Sequence, residues 1–138
     1  MVLTRELQVA TRGDGDVTDI TDQVGQEVAR SGVSDGIVTL FVPGSTAGLT
    51  TIEYESGAVR DLQEMFERIA SARLSYHHNL RWGDGNGHAH VRAALLGASL
   101  TVPFSQRRLL LGTWQQIVLV DFDNRPRQRR VVVQIIGE

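Results

Sequence analysis

The residues that decide the fold are three strand-like segments near the end of the chain: SLTVPF (99–104), LLLGTWQQIVLVD (109–121) and RVVVQII (130–136). All three are rich in Val, Ile and Leu, and a turn-forming sequence, DNRP (123–126), separates the last two. Consecutive strands joined by short turns favour antiparallel pairing over the parallel pairing of a doubly wound sheet. The segments therefore predict an α+β fold, in which the middle strand can bend at Gly112.

Three earlier segments also have the length and composition of strands. They are residues 2–11, 36–42 and 49–55. The segment GIVTLFV at 36–42 is almost continuously apolar, which predicts a central strand buried on both faces.

Helical spacing of apolar residues occurs between these strands. It predicts one helix from about Ile20 to Gly32, a second from a Ser56 cap to Ile69, and a short third helix over 88–96. With 138 residues, the chain is long enough for one well-buried domain. The expected architecture is a single domain spanning 1–138, with mostly antiparallel β-sheet layers, two main helices and a short one.

Composition excludes several kinds of chemistry. The chain has no cysteine, and all fourteen of its basic residues are arginine, so thiolate ligands, Schiff bases and a phosphate-loop lysine are all ruled out. A net charge of −2 offers no general attraction for nucleic acid. The sequence shows neither a signal-peptide pattern nor an apolar run of membrane-spanning length, which predicts a soluble, cytoplasmic protein.

All four histidines fall within the Gly-rich segment YHHNLRWGDGNGHAH (76–90). If the segment after Gly87 is helical, His88 and His90 lie about 200° apart around the axis, whereas Asn86 and His90 share a face. Three imidazoles, or two together with Asp84 or Glu53, would make a zinc-like site that keeps one position open. The alternative is that His88 packs in the interior and Asp84 only forms a turn.

Two further segments carry groups suited to anions. PGSTAG (43–48) places Ser45, Thr46 and free backbone N–H groups directly after a predicted strand, although an ordinary turn between strands would look similar. In the basic segment RPRQRR (125–130), Arg127 and Arg129 share one face of a strand and form a candidate phosphate clamp. A charged edge strand is the alternative interpretation.

Taken in order, several motifs resemble the YjbQ-like family, whose members are also called secondary thiamine-phosphate synthases. The motifs are VPGSTA (42–47), IEYE (52–55), YHH (76–78), DGNGHAH (84–90), LGTWQ (111–115) and RQRR (127–130). Together they span nearly the whole chain. The resemblance implies a homotrimer of compact α+β subunits, with a polar site near a subunit boundary that contains His78, Asn86 and His90. Family members commonly have histidine where this chain has Gly44.

The activity attached to that family joins a pyrimidine diphosphate to a thiazole phosphate and releases pyrophosphate. It implies a divalent metal ion, either zinc in the histidine site or magnesium on the diphosphate, and a small phosphorylated substrate. A non-catalytic trimeric protein that binds a metal or a metabolite is the alternative. The expected metal ligands are His78, His88 and His90, the expected catalytic residues are Asp84, Glu53 and Asn86, and the expected substrate contacts are Ser45, Thr46, Trp114, Gln115 and Arg127.

Overall fold

The computed structural model describes all residues from 1 to 138. The strands are β1 (Val2–Thr11), β2 (Asp16–Asp19), β3 (Gly36–Phe41), β4 (Ala47–Ile52), β5 (Ser99–Ser105), β6 (Arg108–Leu109), β7 (Gln116–Asp121) and β8 (Arg127–Gly137). The helices are α1 (Thr21–Ala29), α2 (Ser56–Ile69), α3 (His77–Trp82) and α4 (Gly87–Leu96).

The strands form two antiparallel sheets. The larger has the order β1-β8-β3-β5-β6, and the smaller has the order β2-β7-β4. Every pair of neighbouring strands is antiparallel. The predicted α+β class with antiparallel sheet layers is thereby confirmed.

Two hydrophobic cores lie on opposite faces of the small sheet. The larger core fills the space between the sheets and is closed by α1, with Val24, Val38, Leu119 and Val133 among its members. The second core lies between the small sheet and helices α2 and α4, where the rings of Phe66 and Phe122 meet edge to face at 4.7 Å. The layers therefore run from large sheet to small sheet to helices.

The strand buried on both faces is β7 and not β3. Ile117 and Leu119 belong to the larger core, while Val118 and Val120 belong to the second. In β3, by contrast, Val38 and Leu40 are fully buried, but Ile37 and Phe41 are 40% and 46% exposed. The prediction for 36–42 was wrong because no helix or sheet of the chain covers the outer face of the large sheet.

Other boundaries also differ from the prediction. The segment 109–121 divides into β6 and β7, because Gln115 N–H donates to the carbonyl of Gly112 and closes a turn at the point where a bend was expected. The strand predicted over 49–55 ends at Ile52. The carboxylate of Glu55 caps α2 by accepting the N–H groups of Gly57 and Ala58, a role the sequence assigned to Ser56. None of the helices is both long and apolar enough to cross a bilayer.

Candidate functional site

The loop after β3 and the helix α4 enclose a small cleft, called here the α4 cleft. Its volume is about 260 Å³, and it is lined by Gly44, Ser45, Ala47, His90, Ala93, Ala94, Gly97 and Ala98. The start of β4 packs closely against the end of α4. A Cβ on Gly48 would lie only 2.8 Å from the carbonyl oxygen of Gly97, so this close approach requires glycine at position 48. The structure thus brings the predicted anion-binding loop at 43–48, called here the anion loop, together with His90 from the histidine segment at 76–90.

Helices α3 and α4 bring two of the histidines together. The segment 77–82, where the sequence predicted no helix, is the short helix α3, and the ring centroids of His78 and His90 lie 4.3 Å apart. Close packing of the two helices depends on Gly87, where a Cβ would lie 2.6 Å from the Cβ of Tyr76. Gly87 N–H also donates to the side-chain oxygen of Asn79.

A carboxylate stands beside this histidine pair. Asp84 Oδ1 lies 3.4 Å from His78 Nδ1, which is buried and makes no hydrogen bond. The same carboxylate accepts the backbone N–H of Asn86, which holds the turn between α3 and α4 in place. Two imidazoles and one carboxylate therefore occupy a single small region.

Asn86 connects the histidine segment to the end of β7. It is 6% exposed, and its side-chain oxygen accepts the N–H of Asn124. Asn124 in turn donates through its side chain to the carbonyl of Asp84. The buried amide of Asn86 thus has a structural role in joining two loops.

Behind the anion loop lies a buried charged network. Arg129 donates to both oxygens of Asp121 and to Thr46 Oγ1, and Thr46 Oγ1 donates to Asp123 Oδ2. Arg127 forms an ion pair with Asp123 at 3.0 Å. The two aspartates are 0% and 1% exposed. Thr46 and Arg127, expected to contact a substrate, therefore make their main contacts within the protein.

Sequence reasoning missed Asp121 and Asp123. The available signal was their position after the apolar run IVLV. Two carboxylates spaced two positions apart would point to the same face there and would be buried without partners unless basic residues met them. Burial opposes ionisation of Asp123, but hydrogen bonds from Arg127 and Thr46 outweigh it and hold the pKa of this carboxyl below its usual value. Hydrogen bonds to Asp121 outweigh burial and raise the pKa of Arg129, which therefore stays charged.

His88 lies apart from the other two histidines of the predicted ligand set. It is 6% exposed, and its ring centroid is 6.5 Å from that of Tyr76. Burial, and then the positive charge of Arg92, lower the pKa of His88, so the ring is neutral near pH 7. No three side chains of the His, Asp and Glu types converge as a complete metal site, and His88 is on a different side of α4 from the cleft-lining His90.

The remaining predicted residues lie at the opposite end of the small sheet. Ala47 pairs with Asp121 and Ile52 pairs with Gln116, so Glu53 is about 17–20 Å along β4 from the anion loop. Glu53 and Trp114 line a second depression of about 470 Å³, and Trp114 is 73% exposed. Gln115 donates to Thr51 Oγ1 and lines a third depression, of about 510 Å³, beside α1.

Comparison with known proteins identifies relatives along the whole chain. The family described as "UPF0047 protein YjbQ-like" matches residues 5–138. A UPF0047 protein of Archaeoglobus fulgidus is 38% identical over 131 residues, covering 95% of this chain and 99% of the relative. The UPF0047 protein YugU of Bacillus subtilis is 31% identical over 137 residues, covering 98% of this chain and 100% of the relative.

Solved structures agree with these matches. A YbjQ-like protein of unknown function from Sulfolobus solfataricus superposes with a TM-score of 0.94 at 38% identity, covering 100% of this chain and 99% of the other. A hypothetical protein from Aeropyrum pernix gives a TM-score of 0.91 at 32% identity, with 99% of both chains covered. The family predicted from the sequence motifs is therefore confirmed, and this chain belongs to the YjbQ-like (UPF0047) family.

Proposed function

We propose that this protein is a metal-assisted enzyme that acts on a small phosphorylated substrate at the α4 cleft. One observation carries the proposal: His78 and His90 lie together beside Asp84, and His90 also lines the cleft next to Ser45. Imidazole and carboxylate are donors that suit zinc and similar divalent ions. A cation held there would be close to any anionic group seated in the cleft.

In this proposal Asp84 takes the place that the sequence assigned to His88. His78 Nδ1 is buried without a hydrogen bond, so a metal ion or a bridging proton would satisfy it. His88 is separated from this pair and sits near the positive charge of Arg92, which disfavours a second cation. The proposed ligands are therefore His78, His90 and Asp84. These three side chains do not form a complete site in this structure, so binding of an ion would require them to draw together around it, with an open position left for water or a phosphate oxygen.

The reaction type that we propose is transfer of an alkyl group with release of pyrophosphate, as in thiamine-phosphate synthesis. A divalent ion, zinc or magnesium, would neutralise the leaving diphosphate when bound. Ser45 and the backbone of the anion loop would hold phosphate oxygens by hydrogen bonds, and Asn86 would keep the histidine turn in position.

We also propose that the active unit is a homotrimer in which a neighbouring subunit completes the site. The proposal is supported by the separation of Glu53 and Trp114 from the α4 cleft within one chain. An exposed tryptophan beside a carboxylate is a suitable surface for covering a neighbour's ligand. The apolar outer face of the large sheet, with Ile37 and Phe41 exposed, would supply contact area.

Native mass spectrometry of protein purified without chelators tests the metal and the assembly together. We expect one zinc ion, or a similar divalent metal ion, per chain and a mass that corresponds to a homotrimer. His90→Ala should lose the ion, because it removes a proposed ligand, and His77→Ala is the matched control because His77 is exposed. A wild-type protein that takes up no divalent ion, or a His90→Ala variant that keeps the ion, would contradict the metal proposal.

A non-catalytic binding protein is the second candidate. It is favoured by the internal engagement of Thr46 and Arg127, which leaves few free groups for chemistry. An assay for pyrophosphate separates the two candidates: an enzyme would join the pyrimidine methylene carbon to the nitrogen of the thiazole phosphate and release the diphosphate of the pyrimidine substrate as pyrophosphate. Turnover that disappears in His90→Ala supports the enzyme, whereas thermal stabilisation by the same compounds without turnover supports the binding protein.

A further inference from the structure

Arg129 has one end of its guanidinium unused. Its Nε and Nη2 donate to Asp121 and Thr46, at distances of 2.6–2.9 Å, while Nη1 donates no hydrogen bond. The side chain is only 11% exposed, and its partner Asp121 is fully buried. Contacts on one edge therefore fix the guanidinium plane and leave Nη1 as a positioned donor.

The free nitrogen points toward Gly44. Arg129 Nη1 lies 3.2 Å from the position that a Cβ on Gly44 would occupy, and Gly44 itself lines the α4 cleft. Gly44 has a φ of +127°, a conformation that side-chain-bearing residues rarely adopt. The absence of a side chain at this position thus leaves room between Arg129 and the cleft.

Additional donors stand in the same loop. The backbone N–H groups of Gly44, Ser45 and Thr46 donate no hydrogen bond to any other residue, and the Ser45 hydroxyl has no partner. Consecutive free N–H groups beside a guanidinium are the usual components of a phosphate site. The charges of Asp121, Asp123, Arg127 and Arg129 cancel, so directed hydrogen bonds and not net charge must provide the attraction.

We propose that Arg129 Nη1, reaching the α4 cleft past Gly44, is the side-chain donor that binds the phosphate or diphosphate of the substrate. The inference rests on the proposed function and deepens it, because it assigns the anion contact to Arg129 instead of Arg127. Gly44 then determines specificity: a larger residue at this position closes the path between the guanidinium and the ligand. In this assignment Arg127 neutralises the buried Asp123, because its Nη2 donates a hydrogen bond to that carboxylate.

Binding of inorganic pyrophosphate, measured by calorimetry, tests this assignment. Gly44→Ala should weaken binding at least about tenfold, the loss expected for one hydrogen bond to a charged group. Gly32→Ala is the matched control, because Gly32 also has a positive φ (+81°) but no atom near its Cβ position. It should leave pyrophosphate affinity unchanged. Equal affinity in Gly44→Ala and wild type, or no binding by wild type, would overturn the proposal.

A soak of wild-type crystals with tungstate, a heavy analogue of phosphate, gives a readout that needs no variant. We expect an anomalous peak within hydrogen-bonding distance of Arg129 Nη1 and of the loop N–H groups. A peak at Arg127 alone, or no peak in the cleft, would reject the assignment. Both experiments are run on zinc-free and zinc-loaded protein, so a missing metal contradicts the proposed function while a missing anion at Arg129 contradicts this inference alone.

Discussion

Arg129 and Arg92 are both nearly buried arginines, but their partners differ. Arg129 pairs with Asp121, whose side chain is 0% exposed, and Arg92 pairs with Glu67, whose side chain is 50% exposed. Arg92 also donates to the carbonyl of Ala70 and so ties α4 to the end of α2. The first arginine is held on one edge beside a cleft, and the second joins two helices.

The difference shows at which of the two ion pairs the loss of one charged partner would strongly destabilise the fold. An ion pair with both members buried gains little net stability over an apolar pair, yet losing one member leaves an uncompensated charge. A pair with one solvated member can lose that member at small cost. We therefore associate the Asp121–Arg129 pair with the site and the Glu67–Arg92 pair with helix packing.

The largest expected effect comes from Asp121→Asn. This change leaves Arg127 and Arg129 to share the single buried charge of Asp123, which lies 3.9 Å from Arg129, and we expect a loss of about 3–5 kcal/mol in the free energy of unfolding. Urea denaturation measures it, and Asp121→Asn combined with Arg129→Gln should be less destabilised than the sum of the two single changes. A loss below about 1 kcal/mol for Asp121→Asn would mean that losing the buried partner of Arg129 costs no more than losing the half-exposed partner of Arg92.

A smaller effect should come from pH through His88, which lies near Arg92, Glu67 and Asp14. Because its folded-state pKa is lowered, the unfolded chain binds a proton near pH 6.5 when the folded chain does not. The free energy of unfolding should therefore fall as pH drops through about 6.5 toward the lower folded-state pKa.

His88→Phe keeps a ring in the buried position and removes the titration. Denaturation curves between pH 8 and 5 should be flatter for this variant than for wild type. The exposed His77, changed to alanine, should leave the pH slope as it is in wild type. An unchanged slope in His88→Phe would show that another group controls stability in this range.

The smallest expected effect is that of Glu67→Gln. Half of the Glu67 side chain is in water, and Ser71 as well as Arg92 hydrogen-bonds to it, so we expect a loss of about 0.2–1 kcal/mol in the free energy of unfolding. Pyrophosphate affinity should stay at the wild-type value. A change in that affinity would show that the two arginine regions are coupled.

Much of the fold followed from local patterns in the sequence. The apolar segments after Ser99 predicted strands, and the spacing from Val59 to Ile69 predicted α2, because both depend on periodicity within one segment. The antiparallel class is confirmed, but the pairing of consecutive strands did not follow: β7 and β8, joined by the turn at 123–126, lie in different sheets. The burial of β3 did not follow, since the sequence cannot show which sheet face another layer covers. The division of 109–121 depended on a turn closed by Gln115, a residue with no strong turn preference.

The candidate site was predictable only in part. The shared face of Asn86 and His90 followed from helix geometry; the structure places His90 in the α4 cleft beside the anion loop and Asn86 against Asn124 after the end of β7. The engagement of Thr46 by Arg129 joins residues 83 positions apart, and no local pattern carries such a contact. The same applies to His88, whose position depends on Tyr76 and on the packing of α3 against α4.

Strand β7 imposes a constraint of its own. From Ile117 to Asp123 every residue is at most 1% exposed, so this strand has no solvent side on which a polar residue would be harmless. Substitutions along it cannot alternate between tolerated and harmful, as they do along a strand with one wet face. Asp121 at the end of β7 and Asp123 just beyond it are therefore tolerated only because Arg129 and Arg127 form ion pairs with them. A change of residue at 121 or 123 would thus call for a matching change at 129 or 127.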